Sequence, residues 1–388
     1  MQTAAVLWHV SLLVPADRRA LALGFVGLAR IGPILFFSLL SGVVADALNR
    51  RTLMLATQSA MAALALVLAA MTFRGLAEVW PIYVLAAFSS AAGAFDAPAR
   101  QALLPTLVPR QDLPNAISLN TIAVQLASVV GPALGGLLIA TAGIGWVYAA
   151  NAVSFLFVIG ALSMLKGQGA THMLPDGSGS DARRGEVSIA AALEGLRFVF
   201  RAPLIRSTML LDFFATFFSS ATALLPIFAQ DVLHVGARGY GWLYAAPAAG
   251  ALIGSAVMVR AVERIEHRGT VLVGAVTIYG AATVAFGLST AFWLTFACLA
   301  VTGAADTVSM VFRNLIRQLE TPDYLRGRMT GVNMVFFMGG PQLGELEAGL
   351  VAAWLGPVVS VVAGGAGCMI STAWIAAKTP ALRGYRRT

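Results

Sequence analysis

The stretch S-G-V-V-A-D-A-L-N-R-R, Ser41 to Arg51, decides how this chain is read. It separates two apolar runs: residues 20–44 hold one charge, Arg30, and residues 53–73 hold none. An acid and two arginines packed into so short a gap mark a loop between two buried rods. The rest of the chain repeats that alternation. It has 388 residues, of which 58% are hydrophobic and 11% charged, whereas a soluble globular chain carries about 25% charged residues. Too little polar surface is available to cover a water-soluble fold of this size, so lipid is the expected solvent.

Working outward from that loop, runs long enough to cross the hydrocarbon core fall at 20–44, 53–73, 80–100, 115–142, 146–166, 204–230, 238–262, 270–289, 292–313, 328–354 and 357–377. These are eleven full spans at roughly 20 residues or more each. The opening M-Q-T-A-A-V-L-W-H-V-S-L-L-V is apolar but covers only roughly 21 Å, against a core of about 30 Å. It lacks the basic start of a signal peptide. It is read as the outer part of a first helix whose beginning is missing, which makes twelve.

Net charge is +8, but the basic residues lie between apolar segments and not on a patch with aromatics, so nucleic acid is not an expected partner. Of the 26 basic residues, Arg18, Arg19, Arg74 and Arg238 fall on the outer side and Arg30 lies within the membrane. The other 21 sit on or near the inner side, which puts both termini in the cytoplasm of a multi-pass plasma or inner membrane protein. Cys298 and Cys368 lie inside apolar runs and the four histidines are scattered, so neither a disulfide nor a metal site is expected. There is no nucleophile elbow or P-loop, and no cofactor or enzymatic activity is expected.

The longest polar segment, 167–203, opens as a flexible linker. It continues with Ile189, Leu193, Leu196 and Phe200 at helical spacing, which fits a short amphipathic helix on the inner surface or an extension of the next span. The two sides of this linker repeat. At an offset of 217, Gly24, Asp46 and Arg51 match Gly241, Glu263 and Arg268. At 213, Arg100, Pro109, Asn120, Gly131, Gly136 and Leu137 match Arg313, Pro322, Asn333, Gly344, Gly349 and Leu350. Two related six-helix bundles follow, with a site at their interface. The expected division is a bundle at 1–166, the linker at 167–203, a second bundle at 204–377 and a tail at 378–388.

Gly42-x-x-x-Asp46-x-x-x-Arg50-Arg51 resembles the loop motif of the major facilitator superfamily, with Asn49 where the usual form has a glycine. Asparagine also tolerates the left-handed turn that such a glycine supplies. M-Q-T at the start, A-F-D-A-P-A-R-Q-A-L-L-P (94–105) and D-L-P-N-A-I-S-L-N (112–120) are similar to the branch of enterobactin exporters and macrolide efflux proteins. The resemblance covers essentially the whole chain. It implies an all-α membrane protein of two six-helix bundles related by a pseudo-twofold axis, the first helix partial. It also implies a latch at the inner mouth, in which Asp46 faces the start of the eleventh span and Arg50, Arg51 and Arg100 complete a charge network across the halves. V-V-G-P-A-L-G-G (129–136) resembles the antiporter motif of the superfamily: Gly131, Gly135 and Gly136 allow close helix approach and Pro132 bends the helix.

Ionisable groups within a membrane are costly and mark functional candidates. Arg30 lies near the midplane, Asp212 lies eight residues into the seventh span, and Asp96 and Asp306 lie near Arg100 and Arg313. Glu345 and Glu347 point roughly 200° apart and cannot share one cavity. Asp212 or Glu345 is the expected proton carrier. Asn120 and Asn333 either line the cavity or bond between helices. Phe213, Phe214, Phe217, Phe218, Met334, Phe336, Phe337 and Met338 suit an adaptable apolar pocket or simply face lipid. The expected function is export of a small amphipathic molecule (a drug, macrolide or siderophore) by alternating access with proton antiport. The partners are then the substrate, protons and lipid, and the protein is a monomer. A lysophospholipid flippase of similar fold and a non-transporting truncated paralogue stay open.

Overall fold

The computed structural model describes residues 1–47, 49–109, 111–165, 196–322 and 325–386, with the backbone alone at 38–47, 326–328 and a few single positions. Twelve helices carry the described chain: α1 Gln2–Leu13, α2 Ala16–Ala47, α3 Arg50–Phe73, α4 Trp80–Leu107, α5 Leu113–Thr141, α6 Ile144–Met164, α7 Pro203–Phe218, α8 Gly236–Ala261, α9 Arg268–Leu288, α10 Phe292–Glu320, α11 Arg326–Leu355 and α12 Pro357–Lys378. No strand occurs among the described residues. In lipid a backbone amide has no water to bond, so every long apolar run closes its hydrogen bonds internally as a helix. Ten segments are long and apolar enough to cross a membrane. To these α11 adds a helix of 30 residues that carries Glu345 and Glu347.

Span positions agree with the sequence reading to within four residues except at the seventh and at the ends of α4 and α10, which run seven residues past the expected 100 and 313. The run 204–230 is not one helix. α7 stops at Phe218, and the chain continues as a 3-10 turn at Ala221–Leu224, one α-turn at Leu225–Ile227 and a π-turn at Phe228–Val232. The Ser220 hydroxyl lies 2.5 Å from the Thr216 carbonyl and 3.0 Å from the Pro341 carbonyl of α11. Such side-chain bonds compete with the helix ladder, and Pro226 brings no amide hydrogen of its own. Asn49 also differs from expectation. It is extended, at φ −61° and ψ 117°, and its side-chain oxygen accepts from the amides of Arg51 and Thr52. It serves as the N-cap of α3, which stabilises the helix start without a left-handed turn.

Within residues 1–164, α2 packs on α4, and α3 packs on α4 and α6; after the linker, α8 packs on α10, and α9 packs on α10 and α12. The second set is the first advanced by six helices. The two halves meet through α2 against α11 and α5 against α8, and these contacts exchange under the same shift. The glycines matched by the repeat form these crossings. A Cβ at Gly349 would sit 2.7 Å from the Gly24 Cα, and one at Gly241 would sit 2.7 Å from the Gly136 Cα. Only residues without side chains let the backbones come this close.

One apolar core runs through both halves at the end of the molecule where these glycines lie. It joins Leu7, Leu23 and Tyr148 to Phe228, Tyr240, Phe286 and Ala352. Helix α1 is buried over most of its length within it, as its uniformly apolar surface requires. At the opposite end each half keeps its own core: Leu53, Ala99 and Leu103 in the first, Leu272, Phe312 and Ile316 in the second. Among the described residues, one core thus joins the halves at one end, and at the other each half has a core of its own.

Of the expected amphipathic helix, Ile189 and Leu193 lie outside the described residues. Residues 196–201 are helical, with Leu196 and Phe200 exposed. Val199 is buried against Ile205, Met209 and Met329.

Candidate functional site

Three groups of polar side chains stand in apolar surroundings. The first bridges the halves. Glu345 of α11 is 9% exposed, and its Oε2 has no hydrogen-bond partner among the described residues. It presses on α2 where Gly27 leaves room: a Cβ there would lie 2.7 Å from the Glu345 Cβ and from the Gln342 carbonyl. Arg30, one turn further along α2, is half-buried and acts electrostatically on Glu345 and on Tyr244 of α8. The Gln342 Oε1 is buried and unpartnered as well. A cation, an acid with a free oxygen and an amide with a free oxygen thus meet where α2, α8 and α11 converge. Buried polar groups normally find partners, so these free oxygens mark a place for a proton, water or bound molecule.

The second group lies wholly in the second half. Arg313 of α10 is 2% exposed and lies 3.2 Å from Asp212 of α7 and 3.1 Å from Asp306. Arg317, one turn on, lies 3.9 Å from Asp212, donates 2.8 Å to Asn314 and also donates to Asn333 of α11. Two acids and two arginines make a neutral set that ties α7, α10 and α11 together. The Arg313 Nε and Nη1 have no hydrogen-bond partner among the described residues.

The third group lies in the first half. Asp96 of α4 takes 2.5 Å from Arg100, 3.0 Å from Thr57 and 2.8 Å from Gln58. It is fully engaged and holds α3 to α4. Arg51 donates 2.7 Å to each of the Leu162 and Ser163 carbonyls at the end of α6, where a cation satisfies unpaired acceptors. Arg51 and Arg100 thus bond within their own half, where the sequence led us to expect bonds across the halves. The side chains of Gly42 to Asp46, and those at 326–328 where the eleventh span that Asp46 is expected to face begins, lie outside the described side chains, so the acidic part of the latch is not described.

The closed end is sealed by contacts that the sequence did not single out. Arg19 of α2 donates 3.0 and 2.8 Å to the two oxygens of Asp231 in the π-turn. Gln230 donates 2.8 Å to Ser11, and Tyr240 donates 2.8 Å to the Ala4 carbonyl while stacking on Trp8. All four hydrogen bonds join residues before the linker to residues after it.

The structure brings together Arg30 with Glu345, Asp212 with Asp306, and Asn333 with the latter group through Arg317. It leaves Asn120 exposed on α5 and, among the described residues, bonded to neither group. Gly131 and Gly135 pack on Met1, Gly136 packs on Gly241, and the Pro132 carbonyl points at Gly241. Phe213 stacks on Phe217 and meets Phe336 edge-on, placing part of the aromatic set on the wall between α7 and α11. Arg317 escaped the sequence reading, although its place one turn after Arg313 was a usable signal. Tyr244 and Gln342 carried none, since single uncharged polar residues are common in membrane helices. Among the described residues no cluster suits a metal ion.

A family model described as "transmembrane secretion effector" matches residues 1–384. The chain is 28% identical over 382 residues to the enterobactin exporter EntS of Escherichia coli O1:K1, covering 98% of this chain and 86% of that one. The EntS of Shigella boydii serotype 18 is also 28% identical over the same length. Among solved structures, a D-xylose–proton symporter superposes with a TM-score of 0.70 at 12% identity, covering 98% of this chain and 97% of that one. A bacterial homologue of the iron transporter ferroportin in an inward-facing state gives 0.65 at 17%, covering 96% and 95%. A bacterial homologue of the lysosomal transporter Spinster, also inward-facing, gives 0.68 at 15%, covering 100% and 98%. At these identities the structural likeness shows the fold alone.

Proposed function

Because the chain belongs to the transmembrane secretion effectors, in the enterobactin-exporter branch of the major facilitator superfamily, and is a multi-pass membrane transporter and not an enzyme, we propose that it exports a small amphipathic molecule by alternating access, driven by proton antiport. One observation carries this reading: among the described residues the halves share a core at one end and keep separate cores at the other. A cleft open to one side only is one of the two states that alternation needs. The arginine bias assigns the open end, with Arg51 and Arg100, to the cytoplasm and the closed end, with Arg19, to the outside. Bundles at 1–166 and 204–377 are the moving bodies, the segment 167–203 joins them, and 378–388 is a cytoplasmic tail.

Glu345 is the proton carrier in this reading, and Asp212 is not. Asp212 has two guanidiniums within 4 Å, inside one half, so protonating it would strand buried positive charge. Glu345 stands at the crossing of the halves with one oxygen free. A carboxylate in such a place is stabilised by Arg30 when charged and by its apolar walls when neutral. Export of a siderophore, drug or macrolide fits the polar head group that Arg30 can hold where α2, α8 and α11 converge. Arg50, Arg51 and Arg100, with Asp46, re-pair across the halves when the cytoplasmic end shuts, and the Gly131–Gly136 face of α5 supplies the sliding contact.

The test is uptake into inside-out vesicles with an imposed pH gradient, using enterobactin and a macrolide as probes. Wild type is expected to accumulate one of them when the gradient is present. Glu345→Gln is expected to lose the gradient dependence while keeping substrate exchange at equilibrium. Gradient-driven uptake that survives Glu345→Gln would remove the proton-carrier assignment. Absence of both uptake and exchange in wild type with every probe class would remove the export reading.

A further inference from the structure

Arg268, the first residue of α9, is a buried cation that the site above does not use. It is 9% exposed. Its Nε has no hydrogen-bond partner, and no carboxylate stands within ion-pair distance of it among the described residues. The repeat explains why it is left alone. Arg51, its counterpart at an offset of 217, donates to the carbonyls of Leu162 and Ser163. The same shift leads to Thr379 and Pro380, and there both carbonyls are taken. The Leu382 amide donates 3.0 Å to Thr379, and the Gly384 amide donates 2.9 Å to Pro380. These bonds wind the chain after α12 into a turn that folds back over the start of α9. The Gly269 amide donates 3.0 Å to the Tyr385 carbonyl, the Thr270 hydroxyl donates 3.2 Å to the Arg383 carbonyl, and Leu382 is fully buried. So close an approach needs a residue without a side chain, since a Cβ at Gly269 would overlap the Leu382 carbonyl oxygen. The tail 378–388 carries Lys378, Arg383, Arg386 and Arg387 and no acid. It covers Arg268 without neutralising it.

A guanidinium does not shed its proton, and a buried charge without a partner is costly. The Thr270 amide, in the same first turn, has no backbone partner either, and the start of a helix favours an anion. We propose that Arg268 and the first turn of α9, beneath the covering tail, form a binding site for a phosphate group, carried by an anionic phospholipid or by a free phosphate ion. The planar fork of arginine matches phosphate oxygens in pairs. Position favours the lipid as carrier. α9 has 21 residues, about 31 Å of helix against a hydrocarbon core of about 30 Å. Its first residue therefore stands at the level of the lipid phosphates, whichever leaflet that is. Arg383 and Arg386, both exposed on the tail, favour a lipid of net negative charge over a zwitterionic one. The site shares no residue with that of Arg30 and Glu345, and the proposal does not rest on the export reading.

The experiment titrates the purified, delipidated protein in dodecyl maltoside and reads binding by native mass spectrometry, with the unfolding midpoint in parallel. The probes are phosphatidylglycerol, phosphatidylcholine and inorganic phosphate. Wild type is expected to bind phosphatidylglycerol at least about tenfold more tightly than Arg268→Gln does, with a matching rise in midpoint. Arg264→Gln, which removes an exposed charge from the same segment, is expected to bind as wild type does. Without any probe, Arg268→Gln is expected to unfold no earlier than wild type, because the guanidinium it removes has no partner to lose. A response of wild type to phosphatidylglycerol and not to inorganic phosphate identifies the lipid as the carrier. A response to inorganic phosphate as well, abolished in Arg268→Gln, shows that the free ion also serves. Equal binding by wild type and Arg268→Gln overturns the proposal. So does equal affinity of wild type for phosphatidylglycerol and phosphatidylcholine. So does an equal loss in Arg264→Gln, which would show attraction to overall charge alone. A lower midpoint of Arg268→Gln without probe, or its failure to fold, also overturns it, by showing that the arginine is bonded within the protein.

Discussion

Arg313 shows what a charge must do to survive inside a membrane helix. It is almost wholly buried, and its two carboxylate partners come from α7 and from its own helix. Breaking a buried pair leaves an unpaired charge and costs about 3–5 kcal/mol. Asp212→Asn is therefore expected to lower the unfolding midpoint in detergent by several degrees, with Asp306→Asn milder because Asp306 is 45% exposed. Equal shifts from the two variants would show that Arg313 does not depend on burial of its partner. The sequence made Arg30, Asp212, Asp306 and Glu345 legible one at a time, because each interrupts an apolar run. It could not pair them, since pairing depends on which helices touch. The Arg19–Asp231 contact was invisible for a further reason: both residues lie at the polar ends of spans, where charge is ordinary.

Helices were the most legible element, because a run of some twenty apolar residues has one stable form in lipid. The break after Phe218 was not legible, since Ser219 and Ser220 read as small helix residues until the Pro341 carbonyl is placed beside them. The glycine repeat was legible as a pattern, and its meaning came with the crossings of α2 on α11 and α5 on α8. Overpacking such a contact costs about 1–3 kcal/mol. Gly136→Ala and Gly349→Ala are each expected to loosen the closed end, while Gly160→Ala, with nothing within 4 Å of its added Cβ, changes nothing. Spin-label distances between the ends of α5 and α8 nearest the Gly136–Gly241 crossing report this directly. An unchanged distance distribution in Gly136→Ala would show that the crossing does not hold the end shut.

At the scale of the whole molecule, the closed end is held by one apolar core and a small set of bonds across it. The Arg19–Asp231 pair is partly exposed, and such a pair contributes about 0.2–1 kcal/mol. Asp231→Asn is expected to shift the population modestly toward opening at that end. The exchanged pair, Arg19→Asp with Asp231→Arg, is expected to restore it. Cysteine labelling at a position on α8 near Tyr240 measures the shift, and no rescue by the exchange would show that the ion pair is incidental. The two glycine crossings also fix a mechanical ratio. Gly136 lies five residues from one end of α5 and 23 from the other, and Gly349 lies six from one end of α11 and 23 from the other. If each helix were a stiff lever on that fulcrum, its arm away from the shared core would be roughly four times its arm toward it at constant rise per residue. An ångström of play at the short arms would then swing the long tips by several, and a cargo admitted on the long side would find too narrow an exit on the short one. Rigid levers cannot serve both mouths equally. The flexure must come from within the long arms, where Pro132 and Pro341 interrupt the helical ladder.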